Sequence, residues 1–455
     1  MKVLCGYNVN IDAVYTITGE DISDLLKMVD KDELLEKIYD GPGEIRSITD
    51  LVAGLVLHMQ KGTGAEWFIY SDDVFHFLKS RYYEKSEIRL GGNMGIMANV
   101  MSHMGADQVV MNAVGDINSI KALMSGGNII FSGESVPQDT STSKDANEII
   151  HFVFDFSSGT RFNVFGTEVM VPRENRFIAT YDDINTELTI TPEFEEYNRE
   201  HVTEVDGAII SGFNQLQRIY PDGSGYTERF EKAHSQLKDW KQRNPDLLIH
   251  VELGHFMSMD MGVSIFTELV GTVDSIGMNE DELVMLAELH GVPSEMIRKM
   301  DACAIPDACV RCASSTVLKK IVLHTRDFIM SIFREGTSSP LHEMQSMQFG
   351  VMCAAAFAAS GKLPERSQLE GSVSDLARSK EGMKQAVKLQ DLIGGEQFEG
   401  GVWGAYGDYS VCILPTIICE KPVSTVGLGD TVSSATFLRW LELIGTNEGK
   451  QRLEV

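Results

Sequence analysis

Short apolar runs rich in β-branched residues recur along most of this chain, and they constrain its fold more than any other feature. Each run is followed by a polar or glycine-containing cluster, and often by a stretch of helical periodicity. Continuous rather than alternating apolarity is typical of strands covered on both faces, as in a parallel sheet. The pattern therefore predicts a doubly wound α/β fold. The runs span residues 2–7, 109–113, 205–211, 247–253, 273–278, 320–324 and 409–415, and helices are predicted at 282–290, 345–359 and 431–443.

Two regions depart from this pattern. Residues 15 to about 90 carry helical stretches and many charges, whereas residues 148–200 alternate between apolar and polar side chains. Period-two alternation predicts a sheet with one solvated face, and such a sheet inserted over the α/β core would form a lid. We expect a large domain of residues 1–14, 92–147 and 205–455, and a lid domain of residues 148–204 with part of 15–91.

Acidic residues far outnumber basic ones, with 66 Asp and Glu against 39 Lys and Arg, a net charge of −27. Affinity for nucleic acid comes mainly from Lys and Arg, so a nucleic acid partner is not expected. The excess fits either a solubility surplus or adaptation to concentrated salt, where screening reduces self-repulsion. The chain shows neither a signal-peptide pattern nor an apolar run of about 18 residues, so we expect a cytoplasmic protein without a membrane span.

The seven cysteines are predicted to be reduced thiols, because their number is odd and no secretion signal is visible. Cys309 and Cys312 form a Cys-x-x-Cys pair with Cys303 nearby, but a zinc site needs a fourth ligand at matching spacing. His324 is the nearest candidate for that ligand. Burial as small apolar side chains is the simpler interpretation of this cluster.

Polar residues gather directly after several of the predicted strands. In an open parallel sheet, ligands bind beyond the carboxyl ends of the strands, so these residues are expected to converge on one site. They are Asn8, Asn10 and Asp12 after the first strand, residues 211–214, His250 and Glu252, residues 279–282, and residues 324–327.

The sharpest of these elements is the glycine-rich turn of residues 425–430, which opens directly onto a helix. Backbone N–H groups at a helix N-terminus, unobstructed at Gly427 and Gly429, can form an anion hole for a transferring phosphoryl group. Asp430 in the same turn is placed to accept a proton from a substrate hydroxyl. The alternative is that Asp430 only caps the helix, a common use of Asp. The series of polar strand ends favours catalysis.

A second glycine-rich turn, Gly91-Gly92-Asn93-Met94-Gly95, precedes a helix and either approaches a ligand or makes a plain turn. Other nucleotide and metal motifs are missing from the sequence: it contains no Walker A loop, no Gly-x-Gly-x-x-Gly and no His-Glu-x-x-His. Their absence disfavours P-loop NTPases, Rossmann dehydrogenases and zincin proteases.

Taken together, these elements resemble the ribokinase-like superfamily and, within it, the archaeal ADP-dependent phosphofructokinase and glucokinase family. The resemblance implies a ribokinase-like, doubly wound, mostly parallel sheet with a smaller inserted α+β lid. Several short motifs in the family's order are more specific than any one alone. They are Asn10-x-Asp12, Gly91-Gly92-Asn93-x-Gly95, Asn175-Arg176-Phe177-Ile178, His250-x-Glu252, Asn279-x-x-Glu282, His324-Thr325-Arg326-Asp327 and Gly427-x-Gly429-Asp430.

The resemblance also implies roles for individual residues. Asp430 would be the general base, with Gly427 and Gly429 in the anion hole. Glu282 would bind Mg²⁺ through water, and Glu252 would belong to the same metal shell. Carboxylates that leave water on the ion suit a Mg²⁺ that bridges nucleotide phosphates, which agrees with these roles. Arg176 could instead be a solvated edge charge, and His250 a satisfied buried histidine. Sugar hydroxyls would contact Asn10, Asp12, Gly92 and Asn93, and the nucleotide would contact Arg176, His324, Thr325, Arg326 and Gly429.

The resemblance leaves the sugar open. Glu44 lies in a stretch where the family associates an acidic residue with glucose, whereas Arg161, Arg173 and Lys85 could hold the phosphate of fructose 6-phosphate. We expect an ADP-dependent 6-phosphofructokinase of a modified glycolysis, with glucose as an additional substrate, acting as a monomer or small homo-oligomer. The alternatives are a dedicated ADP-dependent glucokinase, an ATP-dependent ribokinase-like sugar or nucleoside kinase, and a catalytically inactive binding protein.

Overall fold

The computed structural model describes residues 1–112, 114–132, 148–220, 222–256 and 258–445. The strands in chain order are β1 (Lys2–Gly6), β2 (Asn10–Thr16), β3 (Glu44–Ile45), β4 (Ala65–Ile69), β5 (Glu87–Gly91), β6 (Gln108–Met111), β7 (Ile129–Phe131), β8 (Ile150–Phe156), β9 (Arg161–Val164), β10 (Thr167–Met170), β11 (Asn175–Tyr181), β12 (Gly207–Ile210), β13 (Leu248–Glu252), β14 (Ser275–Met278), β15 (Lys320–His324), β16 (Phe328–Arg334), β17 (Ala377–Arg378), β18 (Glu396–Phe398), β19 (Gly401–Tyr406), β20 (Tyr409–Pro415) and β21 (Ile417–Ile418).

The α-helices in chain order are α1 (Gly19–Leu26), α2 (Lys31–Asp40), α3 (Ile48–Lys61), α4 (Asp72–Tyr82), α5 (Asn93–His103), α6 (Ile117–Leu123), α7 (Asp183–Thr186), α8 (Pro192–His201), α9 (Thr227–Arg243), α10 (Met259–Leu269), α11 (Glu280–Leu289), α12 (Ser294–Arg298), α13 (Ile305–Ala313), α14 (Pro340–Ser360), α15 (Leu369–Val373), α16 (Lys380–Ile393) and α17 (Leu428–Gly445). None of the helices in the described residues combines the length and apolarity needed to span a bilayer.

Within the described residues, eleven strands form the larger sheet, in the order β18-β19-β20-β16-β15-β14-β13-β12-β1-β6-β7. Neighbours from β7 to β15 are parallel, and this half confirms the predicted doubly wound core. The remaining neighbouring strands are antiparallel. They include β20, which is the predicted apolar run at 409–415 and was expected to be parallel. Continuous apolarity reports burial on both faces and carries no information on strand direction. The predicted run at 109–113 forms β6, and its last residue lies outside the described ones.

The smaller sheet forms a lid over the edge of the larger sheet at which the parallel strands end. Within the described residues its strands follow the order β3-β4-β11-β8-β2-β5, and β9 and β10 make a separate hairpin. The chain enters this sheet at Asn10, directly after β1 and the loop that follows it. Its apolar face packs on α3, where a side-chain carbon at Gly54 would lie 2.5 Å from the ring of Phe177. The predicted alternation holds in β8 and β11, where one face packs on helices and the other faces the larger domain. It is wrong for residues 183–186 and 192–201, which form α7 and α8, and Leu188, Ile190 and Phe194 pack in the core of the larger domain.

A buried ion pair ties four elements of the large domain together, namely β15, β16, α14 and α17. Lys320 on β15 and Glu343 on α14 are 2% and 0% exposed, and their Nζ and Oε1 atoms lie 3.2 Å apart. The ring of Trp440 on α17 lies 3.2 Å from the same ammonium, and Ser331 donates a hydrogen bond to Glu343. Charges at this depth are tolerated only when paired and hydrogen-bonded.

Candidate active site

Parallel strands β1, β12, β13, β14 and β15 end at one edge of the larger sheet, and the polar residues that follow them meet there as predicted. The lid sheet faces this edge from the other side, because β2 continues from β1. Helix α17 begins at Leu428 at the same edge. The edge, the lid and the start of α17 together enclose a cleft.

Asp430 stands in this cleft as the third residue of α17. Its Oδ1 accepts a hydrogen bond of 2.8 Å from Asn93 Nδ2. Asn93 is oriented in turn by Asn8, whose Nδ2 donates to Asn93 Oδ1 at 3.2 Å and whose Oδ1 accepts from the backbone of Met94. Desolvation raises the pKa of Asp430 to about 6, with the Glu252 charge adding and the Asn93 bond opposing. A carboxylate with this pKa is suited to accept a proton near neutral pH.

The turn before Asp430 needs glycine at both predicted positions. Gly427 has φ of 74°, and a side-chain carbon there would lie 2.9 Å from Ile96. At Gly429 the same carbon would lie 3.2 Å from His324 Cε1. The first N–H groups of a helix have no partner within the helix, so the small residues keep them accessible to an anion.

His324 is held beside this turn by Glu252. Its Nε2 donates to Glu252 Oε1 at 2.6 Å, and His250 Nε2 donates to the other oxygen at 3.3 Å. Burial alone would raise the pKa of Glu252, but the His324 charge and both hydrogen bonds hold it at about 2. Burial would lower the pKa of His324, but the Glu252 charge raises it to about 9. His324 is therefore an imidazolium at neutral pH, next to the anion-binding turn.

Glu282 is the carboxylate of the cleft that fits a metal best. It is 4% exposed, and its Oε2 accepts a hydrogen bond of 2.7 Å from the backbone of Asn279 in a capping box. Burial raises the pKa of Glu282 to about 7, with Glu252 adding to the shift. A cation would favour its charged form. Mg²⁺ typically takes one or two carboxylates and keeps water and phosphate oxygens for its other positions.

Glu252 does not present a free oxygen of this kind, because each of its oxygens accepts a hydrogen bond from a histidine. A side-chain carbon at Gly277 would lie 2.0 Å from Glu252 Oε2, so the neighbouring strand also packs tightly on this carboxylate. In the described residues no group of three or more acidic, His or Cys side chains could hold a metal by itself. The donor set therefore fits Mg²⁺ held mainly through Glu282, water and substrate phosphate.

A cavity of about 890 Å³ lies beside the start of α17. His324, Thr325, Arg326 and Gly429 line it, and apolar residues of α14 such as Val351 form another wall. Arg176 reaches across from β11 of the lid and donates from Nη2 to Thr425 Oγ1 at 2.9 Å. The apolar wall fits a flat ring, and the cationic side fits phosphates.

Asn10 and Asp12, which follow the first strand, lie close enough to Asp430 for the Asp12 charge to add to the rise in its pKa. Asn10 Nδ2 donates to Asp12 Oδ1 at 2.6 Å, and both side chains are buried. A side-chain carbon at Gly91 would lie 2.3 Å from each of these two groups, and at Gly92, with φ of 76°, it would lie 2.7 Å from the backbone of Val9. Burial raises the pKa of Asp12, with the hydrogen bond from Asn10 and the His151 charge opposing.

A family model described as the conserved region of ADP-specific phosphofructokinase and glucokinase matches residues 1–439. The chain belongs to the ADP-specific phosphofructokinase/glucokinase family.

Individual relatives agree with this assignment. An ADP-dependent glucose/glucosamine kinase of Pyrococcus furiosus is 30% identical over 96% of this chain and 93% of the relative. An ADP-specific phosphofructokinase of Methanosarcina acetivorans is 26% identical over 96% of this chain and 92% of the relative. A solved ADP-dependent kinase in complex with fructose 6-phosphate and ADPβS is 25% identical, matches 98% of this chain and 95% of that chain, and has a TM-score of 0.78. The predicted fold, family and enzyme class are confirmed.

Two residues of the cleft in this family member were missed by the sequence analysis. His151 on β8 pairs in register with Asp12 on β2, and its Nε2 lies 3.0 Å from Asp182 Oδ2. Glu66 on β4 accepts a hydrogen bond of 2.7 Å from Thr180, and its Oε1 lies 3.9 Å from His151 Nδ1. Burial lowers the pKa of His151, but the hydrogen bond to Asp182 and the charges of Asp182, Glu66 and Asp12 raise it overall. The only signal in the sequence was a polar residue within an apolar strand.

Four residues expected near the sugar are engaged elsewhere. Glu44 pairs with Arg46 at 2.6 Å on the edge strand β3, and Arg161 pairs with Glu168 at 3.0 Å across the β9–β10 hairpin. The other two also lie on the periphery of the lid: Arg173 donates to the carbonyl of Gly62, and Lys85 is exposed after α4. Glu44, Arg161 and Arg173 thus have partners within the lid and Lys85 is exposed, and the roles of these four residues toward the sugar stay predictions.

Proposed function

We propose that this protein is an ADP-dependent sugar kinase, which transfers the β-phosphoryl group of ADP to fructose 6-phosphate and also to glucose. The observation that carries the proposal is the position of Asp430. It stands at the N-terminus of α17, with the nucleotide-sized cavity on one side and the buried Asn10–Asp12 pair on the other. A carboxylate between that cavity and this polar pair is suited to deprotonate a hydroxyl that attacks a phosphoryl group.

The residues of the chain divide the work as follows. Asp430, held by Asn93, accepts the proton of the attacking hydroxyl. The N–H groups at the start of α17 and the His324 imidazolium stabilise negative charge on the transferred group. Arg176 binds nucleotide phosphate from the lid and keeps the lid over the cleft, which excludes water as the competing acceptor. When bound, Mg²⁺ on Glu282 would neutralise charge on the phosphates.

The choice of ADP as donor is supported by the family and by the solved relative bound to ADPβS. ADP, Mg²⁺ and sugar phosphates are metabolites of the cytoplasm, where we place the enzyme as a monomer or small homo-oligomer of a modified glycolysis.

Glucose as a second substrate is favoured by Glu66. Its carboxylate stands beside His151 and Thr180 on the cleft side of the lid, where it can accept hydrogen bonds from sugar hydroxyls. A phosphate group at the same place would be repelled by this charge. The glucose/glucosamine kinase among the relatives agrees with a glucose-binding cleft.

A matrix of ADP or ATP with fructose 6-phosphate or glucose tests the proposal, with release of AMP or ADP as the readout. We expect AMP in both ADP wells, and product from ATP alone would refute the donor assignment. In Glu66→Ala, kcat/KM for glucose should fall by roughly tenfold or more, the worth of hydrogen bonds to a charged group, while fructose 6-phosphate turnover is retained. Exposed Glu168→Ala is the matched control. An equal loss for both sugars in Glu66→Ala would refute its role in selectivity.

A further inference from the structure

A groove between helices α8 and α9 lies on the outer face of the large domain, outside the cleft described above. It has a volume of about 510 Å³ and is lined by Asn198, Gln236 and Trp240, by three basic residues (Arg199, Lys232 and Arg243) and by two acidic ones (Glu195 and Asp239). The α9 members recur at helical spacing and therefore share one face of that helix. The groove is thus a built feature of two packed helices.

Asn198 is the residue that points to a ligand. Its side chain is 2% exposed, and neither its Nδ2 nor its Oδ1 has a hydrogen-bond partner in the described structure. A buried amide without partners is destabilising by about 1–3 kcal/mol, so such groups normally have a partner. The amide atoms are covered in this structure and Asn198 lines the groove, so a molecule in the groove that displaces this cover can supply both a donor and an acceptor to the amide.

The charges of the groove select the class of ligand. Arg199 has no acidic partner within ion-pair distance among the described residues, and Arg243 lies 3.8 Å from Asp239, a long contact. Lys232 is paired with Glu195 at 3.1 Å. Glu195 and Asp239 are thus set against Lys232 and Arg243, and among the described lining residues the exposed guanidinium of Arg199 is left without a carboxylate. Guanidinium groups bind carboxylates and phosphates through paired hydrogen bonds.

We propose that the α8–α9 groove binds a small organic anion, whose carboxylate or phosphate contacts Arg199 and whose polar atoms satisfy Asn198. A path of direct contacts leads from this groove to the cleft. Gln236 accepts a hydrogen bond of 2.8 Å from the Tyr7 hydroxyl, and Tyr7 adjoins Asn8, which orients Asn93. A bound anion in the groove therefore changes the KM for the sugar. This effect on KM rests on the proposed function, whereas binding of the anion to the groove does not depend on that function.

Binding is tested without turnover, by titrating the full-length protein with citrate or inorganic phosphate at constant ionic strength and following tryptophan fluorescence. Trp240 in the groove is the reporter, and Trp240→Phe identifies its signal. We expect saturable binding that Arg199→Ala weakens by about tenfold to a hundredfold, the worth of a hydrogen bond to a charged group, and that Asn198→Leu also weakens. Lys238→Ala, which removes an exposed charge of α9 outside the groove, should leave it unchanged.

The two probes separate carboxylate from phosphate recognition, and glycerol serves as the neutral control. Absence of saturable binding for both anions, or an equal loss in Lys238→Ala and Arg199→Ala, would overturn the site. For the connection to the cleft, Tyr7→Phe should bind the probe with unchanged affinity but lose the response of the sugar KM. A KM response that persists in Tyr7→Phe would refute the path through Tyr7.

Discussion

The hydrogen bond from Asn93 to Asp430 should set the pH at which the enzyme becomes active. The proposed base works in its ionised form, and its pKa is raised to about 6. The catalytic rate should therefore rise with pH through about 6 and level off above it, since protonation below that pH removes the acceptor. In Asn93→Leu the carboxylate loses a bond that favours its charged form, so the pKa of Asp430 should rise further.

The size of the change follows from the geometry. The bond is 2.8 Å long and its acceptor is charged, so it contributes about 1.5–3 kcal/mol, which corresponds to about one to two pH units. The acid limb of the rate should move from about 6 to about 7 or 8. At pH 6 the wild type would be half ionised and the variant a tenth or less, so the two rates should differ by about fivefold or more and converge at alkaline pH.

The assay is AMP release at saturating sugar, ADP and Mg²⁺ across the pH range, with Asn118→Leu, an exposed position on α6, as the matched control. Asp430→Asn should lower kcat by about 10²- to 10⁴-fold and abolish the limb, while nucleotide binding remains. The reasoning is refuted if the limb stays near pH 6 in Asn93→Leu while the rate falls evenly at every pH. It is also refuted if Asp430→Asn keeps the limb, because another group would then be the base.

Three further outcomes are expected. Gly277→Ala places a carbon 2.0 Å from Glu252 Oε2 and should lower kcat by roughly tenfold to a hundredfold. Gly371→Ala, whose new carbon meets no atom within 4 Å, is the control and should keep the wild-type kcat. Equal kinetics in the two variants would contradict the role of Glu252. Lys320→Met leaves Glu343 buried and unpaired and should lower the free energy of unfolding by about 3–5 kcal/mol in urea titrations. Most of the lost stability should be recovered in Lys320→Met/Glu343→Leu. A double variant no more stable than the single one would argue against the ion pair. Because KCl screens the repulsion within a chain of −27, the Tm should rise from low to molar KCl, and a flat Tm would leave the charge as a solubility surplus.

Much of the fold was predictable because burial leaves a direct trace in the sequence. Continuous apolar runs marked the strands of the larger sheet, and alternation marked β8 and β11 of the smaller one. The sequence did not predict β2, β3, β4 and β5, which come from the part of the chain before residue 92. The antiparallel pairing of β16 and β20 could not be predicted from the residues alone, since both directions bury the same side chains. Direction is decided by which strands meet, and that depends on residues far apart in the chain.

The candidate site also has one part that the sequence predicted and one part that only the tertiary structure revealed. The sequence by itself identified Asp430, its glycines and the polar strand ends, because a turn that opens a helix is a local event with local residue requirements. Only the tertiary structure showed that Glu252 accepts hydrogen bonds from two histidines, which makes Glu282 the candidate carboxylate for the proposed Mg²⁺. It also brought His151 beside Asp12, residues separated by most of the lid sequence. Motifs specify residue types within a few positions, whereas the partner of each side chain is decided by long-range strand pairing.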